Sequence, residues 1–270
     1  MVDLNLQGKR ALITGSSSGI GVAIAEALAR EGVAVVINGR DRARVDAVAN
    51  RIGASGARVA TACGDLSTDE GACEVADAAR AALGGIDILV NNAGGASPNS
   101  GTNWFASDVT DWEATYQRNV LAALRLIHAF TPEMKERGWG RIINIGTAAA
   151  ITPTSGQADY GPAKAAMLNM SLGLSKALKR SGVTSNTISP GMIRTEGLTR
   201  VLRAMADKRG WGDDLARAEE YIANGGGQTV QRIGEVEDIA YAVTMLASPR
   251  ADFINGANFH VDGGISPSLN

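Results

Sequence analysis

The sequence is short of the residues that build disulfide frameworks and metal centres. It has two cysteines, Cys63 and Cys73, and two histidines, His128 and His260, in 270 residues. That count excludes a disulfide framework and argues against a structural metal site. Charge of one sign is also lacking: the net charge is −2, and Lys and Arg are scattered rather than clustered. With no basic stripe and no patch of interleaved aromatics, nothing resembles a nucleic-acid footprint. No apolar run approaches the roughly 18 residues that a membrane helix needs. The N-terminal segment, Met-Val-Asp-Leu-Asn-Leu-Gln-Gly-Lys-Arg, has no apolar signal core. The expectation is a soluble cytoplasmic protein without nucleic-acid or membrane partners.

Glycine, by contrast, is plentiful at 33 residues, in a chain that is otherwise ordinary at 45% hydrophobic and 20% charged. The length fits one large α/β domain spanning 1–270, with no linker and no fixed-period repeat. Short apolar runs alternate with longer amphipathic segments from end to end. The runs are Ala11–Ile13, Val33–Ile37, Val59–Cys63, Ile86–Val90, Ile142–Ile145, Thr184–Ile188 and Asn258–Val261. Between them the pattern predicts helices over Ile20–Arg30, Arg42–Ile52, a stretch after Thr68, about Asp111–Arg137, and near Asp159–Lys179. Continuous rather than alternating apolar strands mean burial on both faces. Strand–helix repetition of this kind predicts a Rossmann-type, doubly wound, mainly parallel sheet of seven strands flanked by helices. One segment breaks the rhythm. About 195–228 is charged and Gly-punctuated, too long for a tight turn, and helical in period around Asp214–Ile222. It is expected to be a helical lid over a substrate.

Thr14-Gly15-Ser16-Ser17-Ser18-Gly19-Ile20-Gly21 follows the first strand and opens the first helix. Glycines let backbone approach a pyrophosphate, and a helix N-terminus offers unpaired N–H groups and partial positive charge. The spacing is G-x-x-x-G-x-G, not the commoner G-x-G-x-x-G, and a Gly-rich turn alone also serves plain packing. The second strand ends Asn38-Gly39-Arg40, with no carboxylate before Asp41. An acid there would bind a ribose 2′-hydroxyl, whereas a basic residue accommodates a 2′-phosphate. Arg40 presents a fork of donors suited to phosphate, which favours NADP(H); a surface Arg at a strand end looks the same in sequence.

Tyr160 and Lys164 stand four residues apart in Tyr-Gly-Pro-Ala-Lys, one turn apart on one helix face. A phenol beside an ammonium can serve as a proton donor or acceptor near neutral pH, if its pKa falls from about 10. By itself the pair equally fits an ordinary Tyr and a solvated Lys.

Taken together, these residues resemble the short-chain dehydrogenase/reductase superfamily, in the single-domain branch that includes 3-oxoacyl-carrier-protein reductases. The resemblance covers essentially the whole chain. Thr14–Gly21 is similar to the family's phosphate loop, Asp65-Leu66 falls where the family holds adenine, and Asn91-Asn92-Ala93-Gly94 matches the end of its fourth strand. Asn119, Tyr160 and Lys164 fall on catalytic positions, Pro190-Gly191-Met192-Ile193-Arg194-Thr195 on the segment beside the nicotinamide, and Val261-Asp262-Gly263-Gly264 on the usual ending.

The resemblance implies hydride transfer between nicotinamide and a carbonyl or secondary alcohol. Tyr160 would give the proton, Lys164 would depress its pKa and bind the nicotinamide ribose, and Asn119 would hold a relay water. The implied cofactor set is Gly15, Ser17, Ser18, Gly19, Ile20, Gly21, Asn38, Gly39, Arg40, Asp65, Leu66, Asn92, Ala93, Gly94, Tyr160, Lys164, Pro190, Gly191, Ile193 and Thr195. Gly95, Thr147, Gln157 and Met192 would face the substrate. A homotetramer is also implied, built on helices around Val120–Phe130 and after Lys164.

The chain departs from the family in two places. The family's Ser, thirteen residues before the Tyr, is here Thr147. Thr keeps the hydroxyl but adds a methyl and stiffens χ1; Ser155 is an alternative with poorer spacing. Pro162 between Tyr160 and Lys164 is tolerated only in a first helical turn, so the helix must begin close to Asp159. The alternatives are an NAD-linked alcohol, sugar or steroid dehydrogenase, or a non-catalytic NADPH sensor.

Overall fold

The computed structural model describes residues 3–97, 104–153, 158–225 and 227–267. Gln157 and Ser155 lie outside the described residues. Among the described residues there are seven strands: β1 (Arg10–Ile13), β2 (Ala34–Gly39), β3 (Val59–Cys63), β4 (Ile88–Asn91), β5 (Gly140–Ile145), β6 (Val183–Pro190) and β7 (Asn258–Val261). They form one sheet in the order β3-β2-β1-β4-β5-β6-β7, with every pairing parallel. Successive side chains of a strand point to opposite faces, so a strand covered on both sides must be apolar throughout. In β4, Ile88 and Val90 join the core on one face while Leu89 joins the core on the other, and in β5 Ile143 and Ile145 oppose Ile142.

The first core is closed by α1 (Gly19–Arg30), α2 (Arg42–Gly53) and α9 (Val236–Ala247), through Ile24, Leu28, Val45, Val243 and Leu246. The second is closed by α3 (Asp69–Leu83) and α5 (Ala122–Glu136), through Val75, Ala79, Leu126, Ile127 and Phe130. Between them in sequence lie α4 (Val109–Tyr116), α6 (Tyr160–Ala177), α7 (Glu196–Arg209) and α8 (Leu215–Gly225). No helix of the described residues is long and apolar enough to cross a membrane.

Four local differences from the sequence-based expectations have physical causes. The helix expected over Asp111–Arg137 is α4 and α5 joined by a π-helical turn, Gln117–Leu121, which turns the fully buried Asn119 inward. Strand β2 runs past the apolar run Val33–Ile37, through the polar Asn38 to Gly39. The Asn38 side chain is bonded on both sides of its amide: Nδ2 donates to Ala62 O and Oδ1 accepts Gly15 N–H, while the backbone N–H donates to Ser16 Oγ. Strand β6 likewise extends to eight residues, all buried, because Ser185, Asn186 and Ser189 pair with Ser171, Ile254 O and Asn258. Helix α9 was not anticipated at all; its signal is a capping box between Glu235 and Asp238 ahead of an apolar run.

The segment expected to be a helical lid contains a helical hairpin, α7 and α8. It has a small core of its own, Leu202, Ala206 and Ala218 with Leu198, Trp211, Leu215 and Ile222 packed on it. Arg209, at the end of α7, stacks on Tyr221 at 3.9 Å and donates to its hydroxyl, tying α7 to α8. Arg194 ties the hairpin to the body through Glu219 of α8 and Glu235 at the start of α9.

Candidate active site

The strand order reverses at β1, whose neighbours are β2 on one side and β4 on the other. The loops leaving β1 and β4 therefore part at their carboxyl ends and leave a crevice, the usual ligand position in an open α/β sheet. A cleft of about 450 Å³ opens there. Of the expected cofactor residues, Gly15, Ser17, Ser18, Gly19, Ile20, Asn38, Gly39, Arg40, Asp65, Leu66, Asn92, Ala93, Gly94 and Thr195 line it.

The cleft's floor is shaped by close backbone approach. A Cβ on Gly15 would lie 3.0 Å from Ala93 Cα, and one on Gly21 only 2.5 Å from Gly15 O. Gly21 thus packs beneath the loop rather than lining the cleft. Thr14 knits the two loops, accepting the N–H groups of Asn92 and Ala93 on its hydroxyl. Helix α1 begins at Gly19 without a side-chain cap from Ser18 and without an acid in its first turn. By contrast α2, α3, α4 and α7 are capped by Asp41, Thr68, Asp108 and Thr195. An uncapped N-terminus keeps its N–H groups and positive dipole end available to an anion. A dinucleotide pyrophosphate fits this cradle.

Sequence reasoning missed two basic residues in the same cleft, Arg44 and Arg118. A third, Arg200, is a charge of the expected lid segment, suited to steering an anion, and the hairpin's fold carries it to the cleft. Arg44 pairs with Glu196 at 3.7 Å, so helices α2 and α7 meet across the cleft's mouth. Arg40 reaches Asp65 at 4.0 Å. Partial burial pushes the Asp65 carboxyl up, but hydrogen bonds from Ser67, with the charge of Arg40 added, hold it below its usual range.

Tyr160 and Lys164 do not line this cleft; they adjoin it through Gly94. A Cβ at Gly94 would fall 2.3 Å from Asn119 Oδ1 and 3.2 Å from Lys164 Nζ, so only glycine lets the β4 loop lie against both. Helix α6 starts at Tyr160, and Pro162 falls in its first turn as the sequence requires. Lys164 is buried, donates from Nζ to Ile145 O at 2.7 Å, and stands 5.8 Å from the Tyr160 ring centre. Burial pushes the Tyr160 phenol up to about 12 and the Lys164 amine down to about 8. The expected lowering of the phenol by Lys164 is therefore absent from the protein alone, because removal from water penalises both charged forms.

Asn119 is held on both sides of its amide: its Oδ1 accepts Gly95 N–H, and its Nδ2 donates to Gly95 O and Thr115 O, so the side chain staples the π-helical turn to the loop after Gly94. Thr147 sits half-buried at the head of a 3₁₀ turn, its Oγ accepting Ala149 N–H at 3.3 Å. An accepting hydroxyl keeps its proton for another oxygen.

Met192 and Ile193 face away from the first cleft, into a second one of about 570 Å³ between residues 228–234, α9 and the end of β7. Pro190 and Gly191 are structural neighbours of the chain ending. A Cβ on Gly191 would lie 2.6 Å from Asp262 Cα, and Asp262 receives the N–H groups of Gly264 and Ser266.

The family model for short chain dehydrogenases matches residues 9–206. The chain belongs to the short-chain dehydrogenase family. It is accordingly an oxidoreductase. Among its relatives, the uncharacterised oxidoreductase YvaG of Bacillus subtilis is 37% identical over 98% of this chain and 99% of that protein. The 3-oxoacyl-[acyl-carrier-protein] reductase FabG of Escherichia coli is 34% identical over 97% and 99%. Among solved structures, L-sorbose reductase of Gluconobacter frateurii, complexed with NADPH and L-sorbose, superposes with a TM-score of 0.94 at 32% identity, over 99% of this chain and 100% of that one.

Proposed function

We propose that this protein is an NADP(H)-dependent ketoreductase, interconverting a ketone and a secondary alcohol. The observation that carries the reading is the seam at Gly94, where a cleft fit for a dinucleotide abuts Lys164, one turn from Tyr160. When bound, the reduced nicotinamide would supply a hydride, a hydrogen nucleus with two electrons, to the carbonyl carbon. Tyr160 gives its phenolic proton to the carbonyl oxygen as the C=O π pair moves onto it. A phenol held protonated by burial is in the right form to act as the acid. Thr147 donates its hydroxyl proton to the same oxygen and stabilises charge developing there. Lys164 stands ready to hold a ribose hydroxyl, one turn from Tyr160. Gly95 and Gln157 belong to the substrate side in this reading. Met192 joins them only if the 228–234 segment moves.

Arg40, aided by Arg44, favours a 2′-phosphate, which supports NADP(H) over NAD(H). The α7–α8 hairpin acts as the substrate lid, and assembly as a homotetramer is part of the same reading. The test is NADPH oxidation followed against a panel of ketones that includes L-sorbose, other keto sugars and 3-oxoacyl thioesters. Turnover of at least one of them with NADPH, and much less with NADH, is expected. Tight NADPH binding with no turnover of any carbonyl would reduce the protein to a cofactor sensor. Light scattering at micromolar concentration tests the tetramer.

A further inference from the structure

Asp159 precedes Tyr160 directly and occupies the N-cap position of α6, yet its side chain makes no cap bond to that helix. A carboxylate only 1% exposed is costly unless hydrogen bonds hold it. Its Oδ2 accepts the hydroxyl of the fully buried Thr115 at 2.5 Å and the backbone N–H of Ser97 at 3.2 Å. Thr115 is one turn before Asn119, and its carbonyl accepts Asn119 Nδ2 at 2.8 Å. Asn119 exchanges two hydrogen bonds with Gly95, at 3.0 and 2.9 Å. Gly95 leads back along the chain to Ser97. The circuit is closed: Asp159, Thr115, Asn119, Gly95, Ser97, Asp159.

This ring joins three separate pieces of the site. Tyr160 stands at one corner, the π-helical turn with Asn119 at another, and the loop that follows Gly94 at the third. We propose that Asp159 and Thr115 are positioning residues for the reaction. Their hydrogen bond fixes where the Tyr160 hydroxyl stands relative to the β4 loop and hence to the reacting carbonyl. The inference rests on the reading of Tyr160 as proton donor. Displacement of a reacting group by about 1 Å costs on the order of 10²-fold in rate, which gives such a brace its leverage.

The test compares Asp159→Asn, Thr115→Val and Thr115→Ser with the unaltered protein. NADPH affinity is measured by fluorescence, and kcat and KM with the best carbonyl from the panel of keto sugars and 3-oxoacyl thioesters. Asp159→Asn and Thr115→Val are each expected to lower kcat about 10- to 100-fold with little change in NADPH affinity. Thr115→Ser, which keeps the hydroxyl, restores it. The double variant should be no worse than the poorer single one, because Asp159→Asn takes the charge from the bond that Thr115→Val removes.

A readout independent of turnover is hydrogen exchange at the Gly95 amide. It should speed up about tenfold or more in Asp159→Asn and Thr115→Val, while core-strand amides keep their protection. Unchanged Gly95 exchange, or normal kcat per NADPH-binding molecule in both variants, would overturn the inference. Tyr160→Phe separates the two levels. If that variant turns over normally, the proton-donor reading fails; if it is inactive while the other two are normal, only the brace fails.

Discussion

The two ends of the cleft are made of different materials. At the nucleotide end the working surface is backbone: Gly15 and Gly19, the open N-terminus of α1, and the loop of Asn92–Gly94 laid against it. At the reacting end it is buried side chains, Asn119, Asp159 and Lys164, each held by named partners. A backbone cradle is indifferent to most side-chain chemistry but intolerant of added volume. A side-chain cluster is the reverse, since one lost hydrogen bond matters more than a methyl group. The difference predicts which substitutions hurt at each end.

The largest effect is expected at the reacting end. Thr147→Val preserves shape and removes the hydroxyl, and should lower turnover about 10²- to 10³-fold, or about 2.7–4 kcal/mol. Thr147→Ser should retain activity and admit bulkier ketones. A Val variant with near-normal kcat at saturating NADPH would show that Thr147 serves only the Ala149 turn.

At the nucleotide end, charge is the one side-chain property that counts. Arg40→Ala should cut the NADPH-over-NADH preference about 10-fold, and removal of both Arg40 and Arg44 about 100-fold, with NADH affinity little changed. Equal binding of NADH and NADPH by the unaltered protein, measured by titration, would refute the assignment of these arginines.

Gly94 tests the seam, where volume and hydrogen bonding meet. Gly94→Ala drives a Cβ into Asn119 Oδ1, an overpacking expected to cost about 1–3 kcal/mol. Cofactor affinity and turnover should fall together there, whereas the arginine changes move affinity alone. Parallel measurement of NADPH binding and kcat distinguishes the two patterns.

The buried Lys164 makes the contrast visible as a pH effect on stability. Its folded value is about 8 against 10.5 in the unfolded chain. Between those values the unfolded chain holds a proton that the folded one has released, so this group's contribution to stability rises with pH across the window. Tyr160 acts oppositely between 10.0 and about 12, where the folded chain keeps the proton and stability falls. Lys164→Met should therefore be more stable than the unaltered protein near pH 7, by a margin that shrinks toward pH 10 in urea melts. A margin independent of pH would contradict a buried amine.

The smallest effect belongs to the clasp of the hairpin. Arg194 and Glu235 are about half exposed, so Arg194→Ala should cost only about 0.2–1 kcal/mol of stability by urea titration. Its consequence should instead lie in KM for the carbonyl, if the hairpin closes over it. An unchanged KM would leave the hairpin without that role.

Much of the nucleotide end was legible in the sequence, because glycine spacing and helix starts are local facts. The loop from Gly15 to Gly19, the end of β2 at Gly39 just before Arg40 and the entry of α6 at Tyr160 all fall where residue type and spacing put them. The order of apolar runs likewise fixed the parallel sheet, since strands buried on both faces admit few other arrangements. What residues did not reveal one at a time was direction. Asn119 turns inward only because a π-helical turn shifts its helix face, and Met192 points to the second cleft because β7 and α9 pack beside it. Asp159 could be read as a helix start, yet its partners Thr115 and Ser97 are 44 and 62 residues away. Burial decided the ionisation of Tyr160 and Lys164 as well, because desolvation is a property of the folded surroundings and not of a four-residue spacing. The sequence by itself determined which groups the protein owns and where its backbone bends. Packing alone determined which of those groups meet, since contacts between distant segments exist only once both faces of the sheet are covered.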